Sequence, residues 1–209
     1  MQLKNTILIS FAALLMSVAS YLYMDEPLAI WIDLNVRSHK LINIYTSDIP
    51  DLLLLSVIVL STLSWAAYFY LKSRGIKNKH RVFFLITGIA LPLSFIVKTL
   101  LKLVFGRIET RIWLTDHSLD GMHWFSGENG FDGFPSGHMV VFTTFFVGLW
   151  QFYPLYRDLY LVTWLGLAIA LMLTNYHFLS DVIAGSYFGA LICCSVIYIT
   201  SRRHIGGSA

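Results

Sequence analysis

Residues 82–105 read VFFLITGIALPLSFIVKTLLKLVF, an apolar run in which Lys98 and Lys102 are the only charged side chains. A run of this length can cross the hydrocarbon core of a bilayer as a helix, which takes about 20 residues. Pro92 lies inside it and predicts a kink, because proline removes one hydrogen bond of the helix that neighbouring helices can compensate. The stretch therefore predicts a transmembrane helix with two cations near one end.

The composition of the whole chain also indicates a membrane protein. Of its 209 residues, 56% are hydrophobic and only 13% are charged, whereas a soluble domain carries about a quarter charged residues. The net charge of +3 is small and scattered, so no nucleic-acid partner is expected. Cys193 and Cys194 are adjacent in an apolar run, which argues against a disulfide between separate segments and against a four-ligand zinc site.

Six apolar stretches, this one included, follow one another along the chain. They cover residues 6–23, 50–71, 82–105, 139–153, 159–174 and 182–200. They lack the strict polar and apolar alternation of a membrane barrel. We therefore expect an all-α integral membrane protein, with residues 1–209 forming one domain built on a bundle of six transmembrane helices. Residues 24–49 are expected to lie along the membrane surface as an interfacial segment.

The charges between these stretches predict which side of the membrane each connection faces. With the amino terminus inside, one side holds nine Lys and Arg residues with Asp158 as its only acid, and the other side holds the other eleven acids. Cytoplasmic loops carry the excess of Lys and Arg, so both termini are expected in the cytoplasm. An alternative for the first stretch is a cleaved signal peptide, since Lys4, an apolar run and Val18-Ala19-Ser20 fit that pattern.

Three groups of polar residues fall on the acidic, outer side, and the first lies at the end of the 82–105 stretch. Lys98 and Lys102 are four residues apart and share one helix face, and Arg107 follows them. A phosphate anion would be a suitable partner for such cations. For Lys98 the alternative is snorkelling, in which the stem lies along lipid and the ammonium reaches the interface.

The second group is Phe134-Pro135-Ser136-Gly137-His138, immediately before the fourth stretch. Proline and glycine favour a tight turn, and the backbone N–H groups at a helix start, with the Ser136 hydroxyl, form a cradle for an anion. His138 beside that cradle can protonate a leaving oxygen as a general acid. The alternative is a helix cap followed by an interfacial histidine.

The third group is His177-Phe178-Leu179-Ser180-Asp181, which enters the sixth stretch. If these residues are helical, His177 and Asp181 lie on one face, where the carboxylate can accept the Nδ1–H and leave Nε2 free as a nucleophile. The alternative treats Ser180 and Asp181 as caps of the helix start and His177 as a polar tip in the headgroup layer.

In their order and at the outer ends of spans, these groups resemble the motifs of the type 2 phosphatidic acid phosphatase superfamily of integral membrane lipid phosphatases. The resemblance implies a two-step phosphoryl transfer that needs no metal ion or cofactor. It also implies a bacterial inner membrane protein whose active site is periplasmic and whose substrate is a phosphorylated membrane lipid. Residues 106–136 would then form the periplasmic active-site loop, whose aromatic residues are also typical of anchoring in the headgroup layer.

The resemblance also implies roles for individual residues. His177 attacks phosphorus and forms a phosphohistidine, Asp181 orients His177, and His138 protonates the departing lipid alkoxide. The phosphate oxygens would be held by Lys102 and by the backbone of Ser136 and Gly137.

Two positions depart from the usual pattern of the superfamily. The arginine expected after Lys102 is replaced by Glu109, and the arginine expected six residues before His177 is replaced by Leu171. A phosphoryl-transfer transition state spreads negative charge over its equatorial oxygens, so loss of a fixed guanidinium should cost on the order of 3 kcal/mol unless another cation compensates. The candidates for that compensation are Arg107, Arg111 and Lys98.

Other functions are compatible with the same motifs. A phosphotransferase of the superfamily would share the first step and pass the group to another lipid. A degenerate member would bind a phospholipid without hydrolysing it, although retention of nucleophile, acid and orienting carboxylate together favours an enzyme. A transporter would need polar partners for the two lysines deep in other spans, and those spans offer few.

Overall fold

The computed structural model describes residues 3–37, 49–119, 121–126 and 129–206. In these ranges the regular elements are helices, with one isolated antiparallel bridge between Arg107 and Met122. The α-helices are α1 (Leu3–Tyr23), α2 (Asp25–Ile32), α3 (Ile49–Ser73), α4 (Lys79–Phe105), α5 (Thr110–Thr115), α6 (Gly137–Phe152), α7 (Arg157–Leu173) and α8 (Leu179–Gly206). A π-helical turn, Asp33–Arg37, continues α2, and a 3-10 turn, Pro154–Tyr156, precedes α7.

Each of the six apolar stretches forms a helix, so the all-α prediction is confirmed for the described residues. Four helical segments are long and apolar enough to cross a membrane: Leu52–Ser73, Lys79–Phe105, Pro154–Leu173 and Leu179–Arg202. Ile7–Tyr23 and Asp25–Arg37 form a pair bent by 59°, which would be a fifth span if it counts as one. Helix α6 is apolar but has only 16 residues. The described part of the chain thus holds four or five candidate spans, and the number six stays a prediction.

The ends of α4 follow directly from local chemistry. The Asn78 side chain accepts a hydrogen bond from the Arg81 N–H at 3.1 Å and caps the helix start. The helix continues through Pro92 to Gly106, whose left-handed φ of 53° ends it. A Cβ at Gly106 would also overlap the carbonyl oxygen of His123, so this turn needs a glycine. The chain thereby leaves α4 sharply and enters the 106–136 loop.

Helix α6 lies at the centre of the bundle and packs against α4, α7 and α8. Helix α8 also packs against α1 and α4, and α3 packs against α4. Two glycines on α8 allow its close approach to α6: a Cβ at Gly185 would lie 2.6 Å from the Ser136 carbonyl oxygen, and one at Gly189 would overlap the Val140 carbonyl oxygen. This contact brings the first turns of α6 and α8 together, and with them the second and third groups of polar residues.

The predicted interfacial segment is described only in part. Residues 25–37 are helical and turn away from α1 by the 59° bend, whereas residues 38–48 lie outside the described residues. Ala29 of α2 is buried in a cluster with Ile108, Trp113 and Phe178. Helix α2 therefore covers the chain entering α8, and its orientation along a membrane surface stays a prediction.

Candidate active site

The first turn of α6 is built by Ser136 and Gly137. The Ser136 side chain accepts a weak hydrogen bond from the Met139 N–H at 3.4 Å, and the Ser136 N–H donates to the Asp181 carbonyl oxygen at 3.1 Å. Both polar groups of Ser136 are therefore engaged within the fold. A Cβ at Gly137 would lie 3.0 Å from Cδ of Lys98 and 3.6 Å from Cε of Lys102. The absence of a side chain at Gly137 thus lets both lysine stems pass beside the start of α6.

The two histidines of the second and third groups face each other. The ring centroids of His138 and His177 are 6.4 Å apart, and the two residues are 5% and 4% exposed. The Tyr176 ring packs edge-on against both, at 5.6 Å from His138 and 5.1 Å from His177. The structure therefore brings together two imidazoles from distant parts of the chain, as the roles implied by the resemblance require.

Asp181 serves both as a helix cap and as the neighbour of His177. Its Oδ2 accepts the Phe178 N–H at 2.9 Å and lies 3.7 Å from Nδ1 of His177, slightly beyond hydrogen-bond range. Asp181 therefore caps the start of α8, as the alternative interpretation predicted. His177 precedes this helix, and the predicted hydrogen bond from its Nδ1 to Asp181 is not formed. Burial lowers the pKa of His177 and outweighs the opposing charge of Asp181, which favours the neutral ring that a nucleophile requires.

Arg107 lies behind this pair, between two carboxylates. Its Nη1 donates to Asp181 Oδ1 at 2.6 Å, and its Nη2 donates to Asp25 Oδ2 at 2.8 Å. The guanidinium is also sandwiched between two rings, at 4.2 Å from the Phe178 centroid and 4.8 Å from the Tyr21 centroid. Arg107 was a predicted candidate to hold the phosphate, but its terminal nitrogens contact the two carboxylates instead.

Lys102 is paired with an acidic residue that the motifs do not include. Its Nζ donates to Asp132 Oδ2 at 3.0 Å, and Glu109 lies beside Asp132. Burial and the neighbouring Asp132 carboxylate together raise the pKa of Glu109 to about 7. Lys98 places its Nζ 4.2 Å from the Phe95 ring centroid.

The remaining candidate cation, Arg111, reaches the loop that carries the nucleophile. Its Nε and Nη2 donate to the Thr174 carbonyl oxygen at 3.2 and 3.1 Å, and its guanidinium lies 5.0 Å from the Tyr176 ring centroid. Leu171, where the resemblance led us to expect an arginine, is 3% exposed and packs with Met139. An aliphatic contact thus occupies this position.

Four polar residues around the motifs were given no role in the chemistry of the site from the sequence: Asp25, Asp132, Tyr176 and Ser180. Asp25 comes two residues after the first apolar stretch, and acids are ordinary at the ends of spans. Its burial to 1% exposure depends on the bend between α1 and α2 and on distant partners. The adjacency of Ser180 to Asp181 was visible, but nothing in the sequence marked its contact with Asp25.

The fold and these three groups of residues define a helical membrane protein with a buried histidine pair, and the comparisons agree. The chain belongs to the PAP2 superfamily, whose family model matches residues 81–205, more than half of the chain. The resemblance stated from the motifs is therefore confirmed. The matched range contains all three groups and leaves out α1, α2 and α3.

Two curated relatives match a shorter part of the chain. The lipid A 1-phosphatase of Rhizobium johnstonii is 33% identical over 97 residues, which is 46% of this chain and 39% of that protein. The lipid A 1-phosphatase of Rhizobium etli is 32% identical over 96 residues, which is 46% of this chain and 41% of that protein. The chain thus spans about two fifths of the length of the curated relatives it matches. No solved structure matches it significantly.

Proposed function

We propose that this protein is a membrane lipid phosphatase that cleaves a phosphomonoester or pyrophosphate of a lipid through a phosphohistidine at His177. The observation that carries the proposal is the pairing of the buried His138 and His177 rings at 6.4 Å. Membership of the PAP2 superfamily and the names of the two relatives support the same activity.

The chemistry would proceed in two steps. First, Nε2 of His177 forms a bond to phosphorus while the bond from phosphorus to the lipid oxygen breaks, and His138 gives its proton to that oxygen. Then water attacks phosphorus, the phosphorus–nitrogen bond breaks, and His138 accepts the proton of the water. Inorganic phosphate leaves, and both imidazoles return to their starting states.

The distance between the two histidine rings is compatible with these two reaction steps. In-line transfer places the nucleophile and the leaving oxygen on opposite sides of phosphorus. Reacting atoms approach to about 3–3.5 Å before attack, and a general acid lies about 2.6–3.2 Å from the atom that it protonates. With the phosphorus–oxygen bond between them, the two nitrogens should be about 7–8 Å apart. The ring centroids are 6.4 Å apart, which is compatible with such a separation of the nitrogens.

Three groups would hold the phosphate oxygens. Lys102 exchanges Asp132 for the substrate, and the Gly137 N–H at the positive end of α6 contributes a backbone donor. Arg111 compensates for the missing family arginines, because its contact with the Tyr176 ring brings it to the histidine pair. Arg107 instead orients Asp181. Lys98, against the Phe95 ring, adds positive charge near the site without touching the phosphate.

An apolar cavity of about 250 Å³ beside the site supports a lipid substrate. It runs between α1 and α8 and touches Ser180, the residue before Asp181. Its lining includes Ala13, Ser17, Tyr21, Phe134 and Ala184. One acyl chain would occupy this cavity while the phosphate reaches the histidines. Lipid A 1-phosphate is the first substrate to test, since the relatives carry that name.

We also propose that the site faces the periplasm of a bacterial inner membrane, with both termini in the cytoplasm. Lys79 and Arg157 begin α4 and α7, whereas the histidine pair lies where these helices end. In intact cells, an impermeant thiol reagent should label Ser118→Cys in the 106–136 loop and leave Lys77→Cys unlabelled. The opposite pattern would reverse the orientation. Both positions are exposed.

The activity is tested by phosphate release from purified protein given lipid A, phosphatidic acid, phosphatidylglycerol phosphate and undecaprenyl pyrophosphate in detergent micelles. Release from at least one lipid is expected, it should persist with a chelator, and it should vanish in His177→Ala. His80→Ala is the matched control, because His80 hydrogen-bonds Tyr153 at 2.7 Å, near the start of α4.

Three outcomes would contradict the proposal. Release that persists in His177→Ala would remove the nucleophile. If the wild type and His177→Ala both bound the lipids and neither released phosphate, the result would favour a degenerate member that only binds phospholipids. Transfer of the phosphoryl group to an added lipid, without free phosphate, would favour a phosphotransferase.

A further inference from the structure

The first residue of α2, Asp25, is a buried carboxylate with an unusually complete set of donors. Its Oδ2 accepts Arg107 Nη2 at 2.8 Å and also contacts the Ser180 hydroxyl. Its Oδ1 accepts the Ser180 N–H at 2.9 Å and the Ser20 hydroxyl at 3.2 Å. Asp25 is 1% exposed, so four protein donors take the place of water around its carboxylate. Two of these donors belong to Ser180, the residue before Asp181.

These contacts connect Asp25 to the nucleophile in a line. Arg107 Nη1 binds Asp181 Oδ1 at 2.6 Å, and the other oxygen of Asp181 lies 3.7 Å from Nδ1 of His177. Each terminal nitrogen of Arg107 therefore meets one carboxylate. The order from the α1–α2 corner to the reacting atom is Asp25, Arg107, Asp181, His177.

The charge balance of this line argues for a role beyond folding. A single buried carboxylate would suffice to neutralise Arg107, and a second one adds a desolvation penalty. Two carboxylates on one guanidinium leave a net negative charge. Asp181 is then not fully cancelled by Arg107 and retains the negative potential that stabilises a cationic or phosphorylated imidazole at His177.

The corner that carries Asp25 is also fixed to the nucleophile loop. The Asn175 side-chain amide donates to the Ala29 carbonyl oxygen at 3.2 Å, and Ala29 packs with Phe178 in a buried cluster. Asn175 itself has a φ of 47°, the left-handed conformation that asparagine tolerates better than most residues. Helix α2 thus holds both ends of the short segment that contains His177.

We propose that Asp25 is a positioning residue of the active site, which acts through Arg107 and Ser180 on the orientation and charge of the Asp181–His177 pair. This inference rests on the proposed function, since it assigns a role within the same reaction. It extends the site to a part of the chain that precedes residues 81–205, the range of the family match.

The test is Asp25→Asn, which keeps the shape of the side chain and removes its charge. We expect kcat to fall by about 10- to 100-fold, the loss typical for hydrogen-bonding partners that orient a metal-bound imidazole, with KM changed by less than about 2-fold. The control is Glu26→Gln, the same change at the next, exposed residue of α2, which should retain the activity of the wild type.

A purely structural role for Asp25 would not shift the pH dependence, and the proposed role does. Removing a negative charge lowers the pKa of His177, so the acidic limb of the kcat profile should move to lower pH. The other charged and titratable groups facing His177 are unchanged in the variant: Asp181, Lys102, Asp132, His138 and Tyr176.

NMR of histidine-labelled protein measures the same shift without turnover. The signal of His177 is assigned by its loss in His177→Gln, and it should titrate at lower pH in Asp25→Asn than in the wild type. An inactive wild type would refute the proposed function while this titration still tests the inference. Unchanged kcat, pH profile and His177 titration in Asp25→Asn would overturn the inference.

A milder variant keeps the test decisive if Asp25→Asn fails to fold, as judged by thermal unfolding in micelles. Ser20→Ala removes only the hydroxyl donor at 3.2 Å from Asp25. It should shift the His177 titration in the opposite direction, to higher pH, because the carboxylate loses a hydrogen bond and its negative charge is less screened. No shift in either variant would refute the inference.

Discussion

The site contains two clusters of charged residues that differ in their exposure to solvent. The buried cluster is Asp25, Arg107 and Asp181, with side chains between 0% and 5% exposed. The rim cluster is Lys102, Glu109 and Asp132, in which the Lys102 side chain is 17% exposed and the Asp132 side chain 49%. Both clusters pair a cation with two acids, and both lie near the histidine pair.

The difference in burial gives the two clusters different roles in the site. In the buried cluster, each terminal nitrogen of Arg107 meets a carboxylate, because an unpaired charge there would be costly. Its geometry is therefore rigid and suited to orienting a nucleophile. In the rim cluster, water shares the solvation of the charges, so Lys102 can leave Asp132 for a phosphate at little cost. Arg107 therefore has fixed partners, whereas Lys102 can change its partner.

The largest effect on stability is expected from Arg107→Met. The substitution leaves Asp25 and Asp181 buried without their cation and should lower the free energy of unfolding by about 3–5 kcal/mol. Lys102→Met breaks the half-exposed pair with Asp132 and should cost only about 0–1 kcal/mol. Unfolding in detergent micelles compares the two variants. Equal losses would show that the two clusters do not differ as described.

Lys102→Met, which has the smaller effect on stability, should have a large effect on catalysis. Removing one fixed cation from a phosphoryl-transfer site should lower kcat/KM by about 10²- to 10³-fold, although the fold remains stable. The measurement is phosphate release at saturating and limiting lipid. Lys72→Met, in the last turn of α3, is the control for loss of a lysine. Activity of Lys102→Met within about 3-fold of wild type would exclude Lys102 from the phosphate site.

Glu109 should make the rim cluster sensitive to pH. Its pKa of about 7 is raised, so the carboxyl is neutral below that pH and becomes charged above it. The added negative charge holds Lys102 more strongly and repels phosphate, so KM should rise by up to about 10-fold as pH passes from 6 to 8. Glu109→Gln should abolish this rise.

The matched control for that experiment is Asp116→Asn, which removes an acid from the same loop. Hydrogen bonds from Ser118 lower the pKa of Asp116, so its charge does not change near neutral pH. The rise in KM should therefore persist in this variant. A rise that survives in Glu109→Gln would assign the titration to another group.

The smallest effect is expected away from both clusters, in the apolar cavity. Ala13→Trp places an indole in the space between α1 and α8 and should raise KM for a long-chain lipid phosphate by about 3- to 10-fold, without changing KM for a short-chain analogue. Ala19→Trp, at an exposed position of α1, is the control. Equal effects on both substrates would show that this cavity does not hold an acyl chain.

The sequence predicted the elements and the convergence of the motifs better than it predicted the two clusters. Apolar runs of span length form helices almost regardless of context, and the motif residues lie at helix starts that α6 and α8 bring together. The pairing of Asp25 with Arg107 joins residues 82 positions apart across a bend that no periodicity encodes. The contacts of Glu109 and Asp132 likewise depend on how the 106–136 loop folds back.

The central claim is the covalent role of His177, and trapping the phosphoenzyme tests it most directly. The protein is mixed with radiolabelled lipid phosphate, quenched in alkali, where phosphohistidine survives, and digested for mapping. Label on the peptide containing His177 is expected in the wild type, with more label in His138→Ala if release of phosphate slows. Label that persists in His177→Ala, or turnover by the wild type without any labelled protein, would contradict the account.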